Sequence, residues 1–284
     1  MKTLAILSLL AVTPAAFAWG ETGHMVIAQI AYDGLSPAVR AEADRLLQID
    51  KTDRAYDFIT TGPWADDVRR DRAETGPWHY KDIFFRQDGQ SVRNHTEEPN
   101  AVTQIVRFTE VLQNRSRPEA ERAEALRFII HFVGDIHQPL HATSRETAAL
   151  PKGDRGGNDF KIVPPPWMGE HGPTNLHSLW DGGVGFFDRI NRPLDTEGRS
   201  AIRMLARSLE AGFPSERLGR QAGQRNPDRW AQESFDIARR FVYTAPENGT
   251  PSGRYFREGQ RIVAERVALA GYRLADLLNR ALQK

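Results

Sequence analysis

The chain has 284 residues, 40% of them hydrophobic and 26% charged, with 23 glycines, 17 prolines and no cysteine. That balance describes an ordinary globular protein and excludes disordered, collagen-like and coiled-coil classes. Lys and Arg number 38 against 37 Asp and Glu, and Lys2 is the only charged residue among the first eighteen, so the remainder is formally neutral. A neutral chain lacks the extended basic surface on which a long duplex would condense. Any hold on a polyanion must come from a local site, such as bound metal or a few arginines.

The N-terminus reads Met1-Lys2-Thr3, an apolar run over 4–12, then Ala16-Phe17-Ala18, the three regions of a secretory signal in order. Residues 1–18 are therefore expected to be a signal peptide cleaved after Ala18, leaving 19–284 as one domain that begins at Trp19. The competing reading, a buried N-terminal helix, is opposed by Pro14. No later stretch approaches the roughly 20 apolar residues of a membrane span. Without cysteine, an exported chain relies on its core, helped by any bound metal, instead of disulfides.

Beyond the leader, apolar residues recur at three- and four-residue spacing over 25–31, 38–47, 101–112, 120–133, 201–209, 229–241 and 262–282. The spacing predicts an all-α, single-domain helical bundle. Ser36-Pro37 supplies a cap and a first-turn proline, and Gly134 and Pro139 mark where the fourth helix bends or ends. Residues 102–106 resemble a strand but lie inside a longer helical period. The last helix places Ile262, Val263, Val267, Ala270, Leu274, Leu277 and Leu278 on one stripe, enough to close a bundle core. The Gly/Pro-rich segments 60–79, 150–173 and 244–253 read as long loops, the middle one stiffened by Pro164-Pro165-Pro166 and long enough to form a functional rim.

Chemistry concentrates in two helical pairs. His131 and Asp135 are four residues apart, as are His177 and Asp181, so each pair shares a helix face. Burying imidazole beside carboxylate is costly unless a positive charge compensates, and zinc accepts both donors. Taken singly, either pair could be a hydrogen-bonded contact that tunes helix packing. Together with His24, His141, Trp64-Ala65-Asp66-Asp67 and Trp78-His79-Tyr80 they point to a polynuclear metal hydrolase, although spacing cannot group ligands that are far apart in the chain.

In order along the chain stand Trp19-Gly20 with Gly23-His24, Trp64-Ala65-Asp66, Trp78-His79-Tyr80, the segment from His131 to His141 containing Gly134-Asp135 and Gln138-Pro139-Leu140, Gly156-Gly157-Asn158, and Asn175-Leu176-His177 with Trp180-Asp181. In these six elements the sequence resembles the zinc-dependent S1/P1 nuclease family, and its missing cysteines suggest a bacterial member. The resemblance implies the helical phospholipase C/P1 nuclease fold, with long loops forming the cleft, and three Zn2+ per chain. Asp66, His79, His131 and Asp135 would surround one ion, and His141, His177 and Asp181 a second. His24, bridging Asp135, and Trp19, through its free α-amine and carbonyl, would hold the third. Only a chain terminus offers an amine lone pair, since an amide lone pair is delocalised. Removal of the leader would thus complete the site.

The resemblance further implies hydrolysis of phosphodiesters in single-stranded DNA and RNA to 5′-phosphate products, together with 3′-nucleotidase activity. Asp66 would bind metal and orient the attacking water, and Arg69 is the candidate phosphate clamp. Tyr80 is the candidate stacking platform for an unpaired base, while Asn158 shapes a turn beside the substrate. Trp64, Trp78 and Trp180 are expected to wall in the ligands. His95, His137 and His171 fall outside the ligand pattern, with a core or rim role for His137. A zinc phospholipase C is the nearest alternative, and it is disfavoured by Asp181, where that family carries Glu, and by the short interval from Trp19 to His24. A zinc-storage protein would need no open coordination position. The expected setting is the periplasm or exterior of a bacterium, as a monomer with no membrane span and no obligate protein partner.

Overall fold

A computed structural model describes residues 19–92 and 97–283, so the leader and His95 lie outside the described residues. The first helix, α1 (Glu21–Asp33), is buried from Thr22 to Ala31 and runs through the middle of the bundle. It is followed by α2 (Pro37–Leu47), where the Ser36 hydroxyl accepts from the Val39 N–H and Pro37 occupies the first turn, as the sequence predicts. The segment 60–79, expected as loop, instead holds the short α3 (Trp64–Val68) and a 3-10 stretch, Ala73–His79. Its Pro63 and Pro77 punctuate helical turns without abolishing them, because a 3-10 turn of this length tolerates proline where an α-helix interior does not.

Next come α4 (Ala101–Gln113), opened by a reciprocal Asn100/Thr103 cap, and α5 (Glu119–Asp135). α4 absorbs the strand-like residues 102–106. α5 ends at Asp135, at the bend that Gly134 foreshadows, and a 3-10 turn, Pro139–Ala142, follows. A two-residue parallel pair, β1 (Phe84–Phe85) with β2 (Ser144–Arg145), is the only sheet among the described residues. Then follow α6 (Leu176–Asp181), α7 (Thr196–Gly212), α8 (Ser215–Leu218), α9 (Pro227–Arg240) and α10 (Gly253–Leu282).

α10 starts nine residues before the predicted 262, capped by Ser252. The cause is Gly259, which interrupts the apolar period. A Cβ there would come 3.1 Å from Val184, so the glycine lets the helix pass close to that neighbour. The fold is a mostly helical single-domain bundle, with α5 packed on α1, α2, α3, α4 and α10. Behind the ligands of α5, Phe128 stacks on Phe108 at 4.8 Å and on Phe132 at 5.2 Å, with Trp64 and Trp78 edge-on at 5.1 and 5.4 Å. This aromatic wall fixes the helix face that carries the chemistry.

Candidate metal centre

From Ala125 onward every residue of α5 is buried, so His131 and Asp135 point into protein, with Nε2 and Oδ2 3.2 Å apart. The other ring nitrogen of His131 donates to the Gly62 carbonyl at 2.8 Å. His141 does the same to the His79 carbonyl at 2.8 Å, and His177 to the Gly156 carbonyl at 2.7 Å. A carbonyl can only accept, so each of these three imidazoles carries a proton on Nδ1 and turns its Nε2 inward. The Gly156-Gly157 turn makes this possible for His177. Both glycines have positive φ, 62° and 78°, and a Cβ on Gly156 would sit 2.4 Å from the Leu140 carbonyl.

His24 on α1 stacks on His131 at 4.0 Å and approaches Asp135 Oδ1 to 3.3 Å. His79, ending the 3-10 stretch, places Nδ1 3.0 Å from Asp135 Oδ2, 3.1 Å from His131 Nε2 and 3.7 Å from Asp66 Oδ1. A second group forms where α6 meets the turn after α5. There His177 Nε2 is 3.4 Å from Asp181 Oδ2, and His141 Nε2 is 3.8 Å from Asp181 Oδ1. Three sets thus have donor atoms within 4.8 Å of one another: His24/Asp66/His131, His79/His131/Asp135 and His141/His177/Asp181. The last is the set the resemblance implies. By distance, His24 joins Asp66 and His131 as well as Asp135. Trp19 is fully buried, with its indole N–H donating to the Gly134 carbonyl at 2.9 Å, and the adjacent Gly20 N–H donates to the Asp181 carbonyl at 2.8 Å. Its backbone is thereby fastened between α5 and α6.

These residues fit a metal cluster. His24 Nε2, His141 Nε2, Asp66 Oδ1, Asp135 Oδ1 and Asp181 Oδ2 are buried without a hydrogen-bond partner. Lone pairs crowded out of water and left unpaired are costly, and nitrogen and carboxylate oxygen donors together suit zinc. The protonation pattern of the bare protein points the same way. Burial, aided by the His131 charge, lowers His24 to about 4, and burial with His141 lowers His177 to about 3. Burial also lowers His79 and His141. Burial opposes a charge on His131 too, but Asp135 and Asp66 outweigh it and lift the ring to about 9. Burial raises Asp66 and Asp181, whereas Asp135 is held low against burial by His131, His24 and His79. A dication would relieve the carboxylates that burial pushes toward their neutral form.

A cleft of about 260 Å³ opens over His79, His141 and His177, with Arg69, Tyr80, Asp82 and Asn158 in its walls. Arg69 caps the C-terminus of α3, and its charge is felt by Asp66, His141, His177 and Asp181. Tyr80 is half-buried, and Asn158 closes its own turn by donating to the Arg155 carbonyl at 2.8 Å. Trp180 is fully buried and donates to the Tyr255 hydroxyl, which fixes α6 against α10. His171 is exposed. His137 is fully buried, donating to the Val133 carbonyl while its Nε2 faces Arg273 at 2.8 Å.

Two supporting residues escape a reading of ligand types. Arg192, 5% exposed, pairs with Glu21 at 3.2 Å and Asp67 at 3.0 Å, tying the start of α1 to the helix that carries Asp66. Nothing in its neighbourhood in the sequence signals this. Gln138, fully buried, donates to Asp181 Oδ1 at 2.7 Å. Its only signal was its place in the Gln138-Pro139-Leu140 run.

The family model described as S1/P1 Nuclease matches residues 19–283. Among curated proteins, the chain is 27% identical to Endonuclease 3 of Arabidopsis thaliana, over 99% of this chain and 94% of that one. It is 28% identical to Nuclease S1 of Aspergillus oryzae (95% and 94% covered) and 25% identical to Nuclease P1 of Penicillium citrinum (92% and 97%). With a match running from the buried Trp19 through both His/Asp groups to the end of α10, the chain belongs to the S1/P1 nuclease family.

Proposed function

We propose that the protein is an exported, zinc-dependent endonuclease that hydrolyses phosphodiester bonds of single-stranded DNA and RNA to 5′-phosphate products and removes 3′-phosphate from 3′-nucleotides. The observation that carries this reading is the convergence of unpartnered buried Nε2 and carboxylate oxygens beneath a cleft that also holds an arginine and a tyrosine. Asp66, His79, His131 and Asp135, then His141, His177 and Asp181, then His24 with Asp135 and the Trp19 terminus, would hold three zinc ions. When bound, the ions supply a water of lowered pKa and offset negative charge on the phosphoryl and leaving 3′-oxygens.

The chain's own groups do the rest. Asp66, with one oxygen lacking a protein partner, orients the attacking water. Arg69 binds a non-bridging phosphoryl oxygen as a charge-assisted donor. Tyr80 presents its ring to a base beside the scissile phosphate. Stacking of this kind tolerates any base but requires an unpaired one, which favours single strands over duplex. Asn158 shapes the turn beside the substrate. Export rests on the leader-like residues 1–18, whose cleavage after Ala18 frees the Trp19 amine; among the described residues no helix is long and apolar enough to cross a membrane.

The test is to load the purified protein, beginning at Trp19, with zinc and offer it single-stranded DNA, RNA, duplex DNA, 3′-nucleotides and a phosphatidylcholine. Cleavage of single strands to 5′-phosphate ends is expected. Hydrolysis of the lipid alone would assign the site to phospholipase chemistry, and no turnover with metal bound would overturn the reading.

A further inference from the structure

Gln138 has a side chain whose two ends cannot be exchanged. Its Oε1 accepts from the Leu140 N–H at 2.6 Å, capping the 3-10 turn Pro139–Ala142 that delivers His141. A backbone N–H can only donate, so this end must be the oxygen, and the Nε2 end is left facing Asp181 Oδ1, to which it donates at 2.7 Å. The residue is fully buried, so water cannot replace either bond. Asp181 Oδ1 is thus occupied, while its Oδ2 has no hydrogen-bond partner and lies 3.4 Å from His177 Nε2.

We propose that Gln138 is a positioning residue for the metal set His141/His177/Asp181, a role that rests on the metal-centre reading above. One amide would serve two ligands at once: its oxygen sets the turn bearing His141, and its N–H holds the Asp181 carboxylate rotated so that Oδ2 is the oxygen offered to metal. Hydrogen bonds that orient a metal ligand in this way are worth roughly 10- to 100-fold in affinity.

The discriminating variant is Gln138→Glu. It has the same shape and keeps an oxygen for the Leu140 N–H, so a mere cap of the turn would survive the change. It replaces the donor facing Asp181 with a second oxygen, so a positioning role would not survive. Metal per chain and affinity by chelator competition at neutral pH, with the visible spectrum of the cobalt-substituted protein, give readouts independent of turnover. The expected result is a fall of roughly 10- to 100-fold in affinity for one of three ions and an altered cobalt spectrum, with the other ions kept. Three ions at parental affinity and an unchanged spectrum in Gln138→Glu would overturn the role of Gln138 alone. Fewer than three ions in the parent, with none assigned to His141, would overturn the underlying reading and this role with it. Should the Glu variant fail to fold, the side-chain amide 15N resonance of Gln138 in the parent decides. A shift on zinc addition with slow amide exchange supports the role, and indifference to zinc refutes it.

Discussion

Gly134 sets local helix preference against the geometry of the centre, and Gly134→Ala tests which dominates. Alanine in a helix interior is favoured over glycine by about 1 kcal/mol. Here the added Cβ would stand 2.9 Å from His24 Nδ1, 3.1 Å from His24 Cε1 and 3.3 Å from Ile27 Cδ1, well inside the roughly 3.5–4.0 Å of comfortable contact. His24 has little room to retreat, since it is fully buried with its ring stacked on His131 at 4.0 Å. Overpacking of this kind costs about 1–3 kcal/mol, which exceeds or cancels the propensity gain. The net expectation is a loss of about 1 kcal/mol in the metal-free protein and a displaced His24 ring. Urea denaturation of chelator-treated protein reads the first, and zinc per chain reads the second, with one ion fewer than the parent. A variant that is more stable than the parent and binds the same number of ions would refute the reasoning.

Adding one residue before Trp19 should remove one ion per chain by converting the terminal amine to an amide; equal zinc content in the two forms would contradict this. Chelator should lower the melting temperature. The stabilisation by zinc should shrink on acidification through about 4 and below, where protons compete for rings such as His24 (about 4) and His177 (about 3). A zinc-dependent gap in melting temperature that is constant from pH 5 to pH 3 would argue against those ligands. Asp82, raised to about 7 by burial, Asp154 and Glu97, has stability that is full below the unfolded value near 3.8 and lost as pH rises through 7. Asp82→Asn should therefore match the parent at pH 3.5 and be the more stable of the two at pH 8 in urea titrations, and equal midpoints at pH 8 would discount the burial. Tyr80→Ala should raise KM for short oligonucleotides more than it lowers kcat, and unchanged kinetics would remove the stacking role.

The helices were legible where apolar residues keep a helical period, as in α2 behind the Ser36-Pro37 cap, in α4 and in α9. They were misread where glycine or proline serves close packing instead of ending an element, as at Gly259 in α10 and Pro63 beside α3. Ligand types were legible for the same reason that helices were, because a four-residue interval places His131 with Asp135 and His177 with Asp181 on one face. Their orientation was not. It depends on the carbonyls of Gly62, His79 and Gly156, and a backbone oxygen leaves no mark on composition or spacing. Arg192 and Gln138 were illegible in the same sense, since each acts across more than forty residues of chain.

α1 is enclosed by partners made after it: α5, α7 and, over much of its length, α10. The approach is close enough that a Cβ on Gly271 would fall 2.5 Å from Ile30. The order of synthesis therefore runs opposite to the order of completion. The contacts that seal the helix bearing His24 come from the final thirty residues, a closure of high sequence separation of the kind that slows folding. A chain truncated within α10 would retain every proposed ligand and still lack the lid over the helix that bears His24.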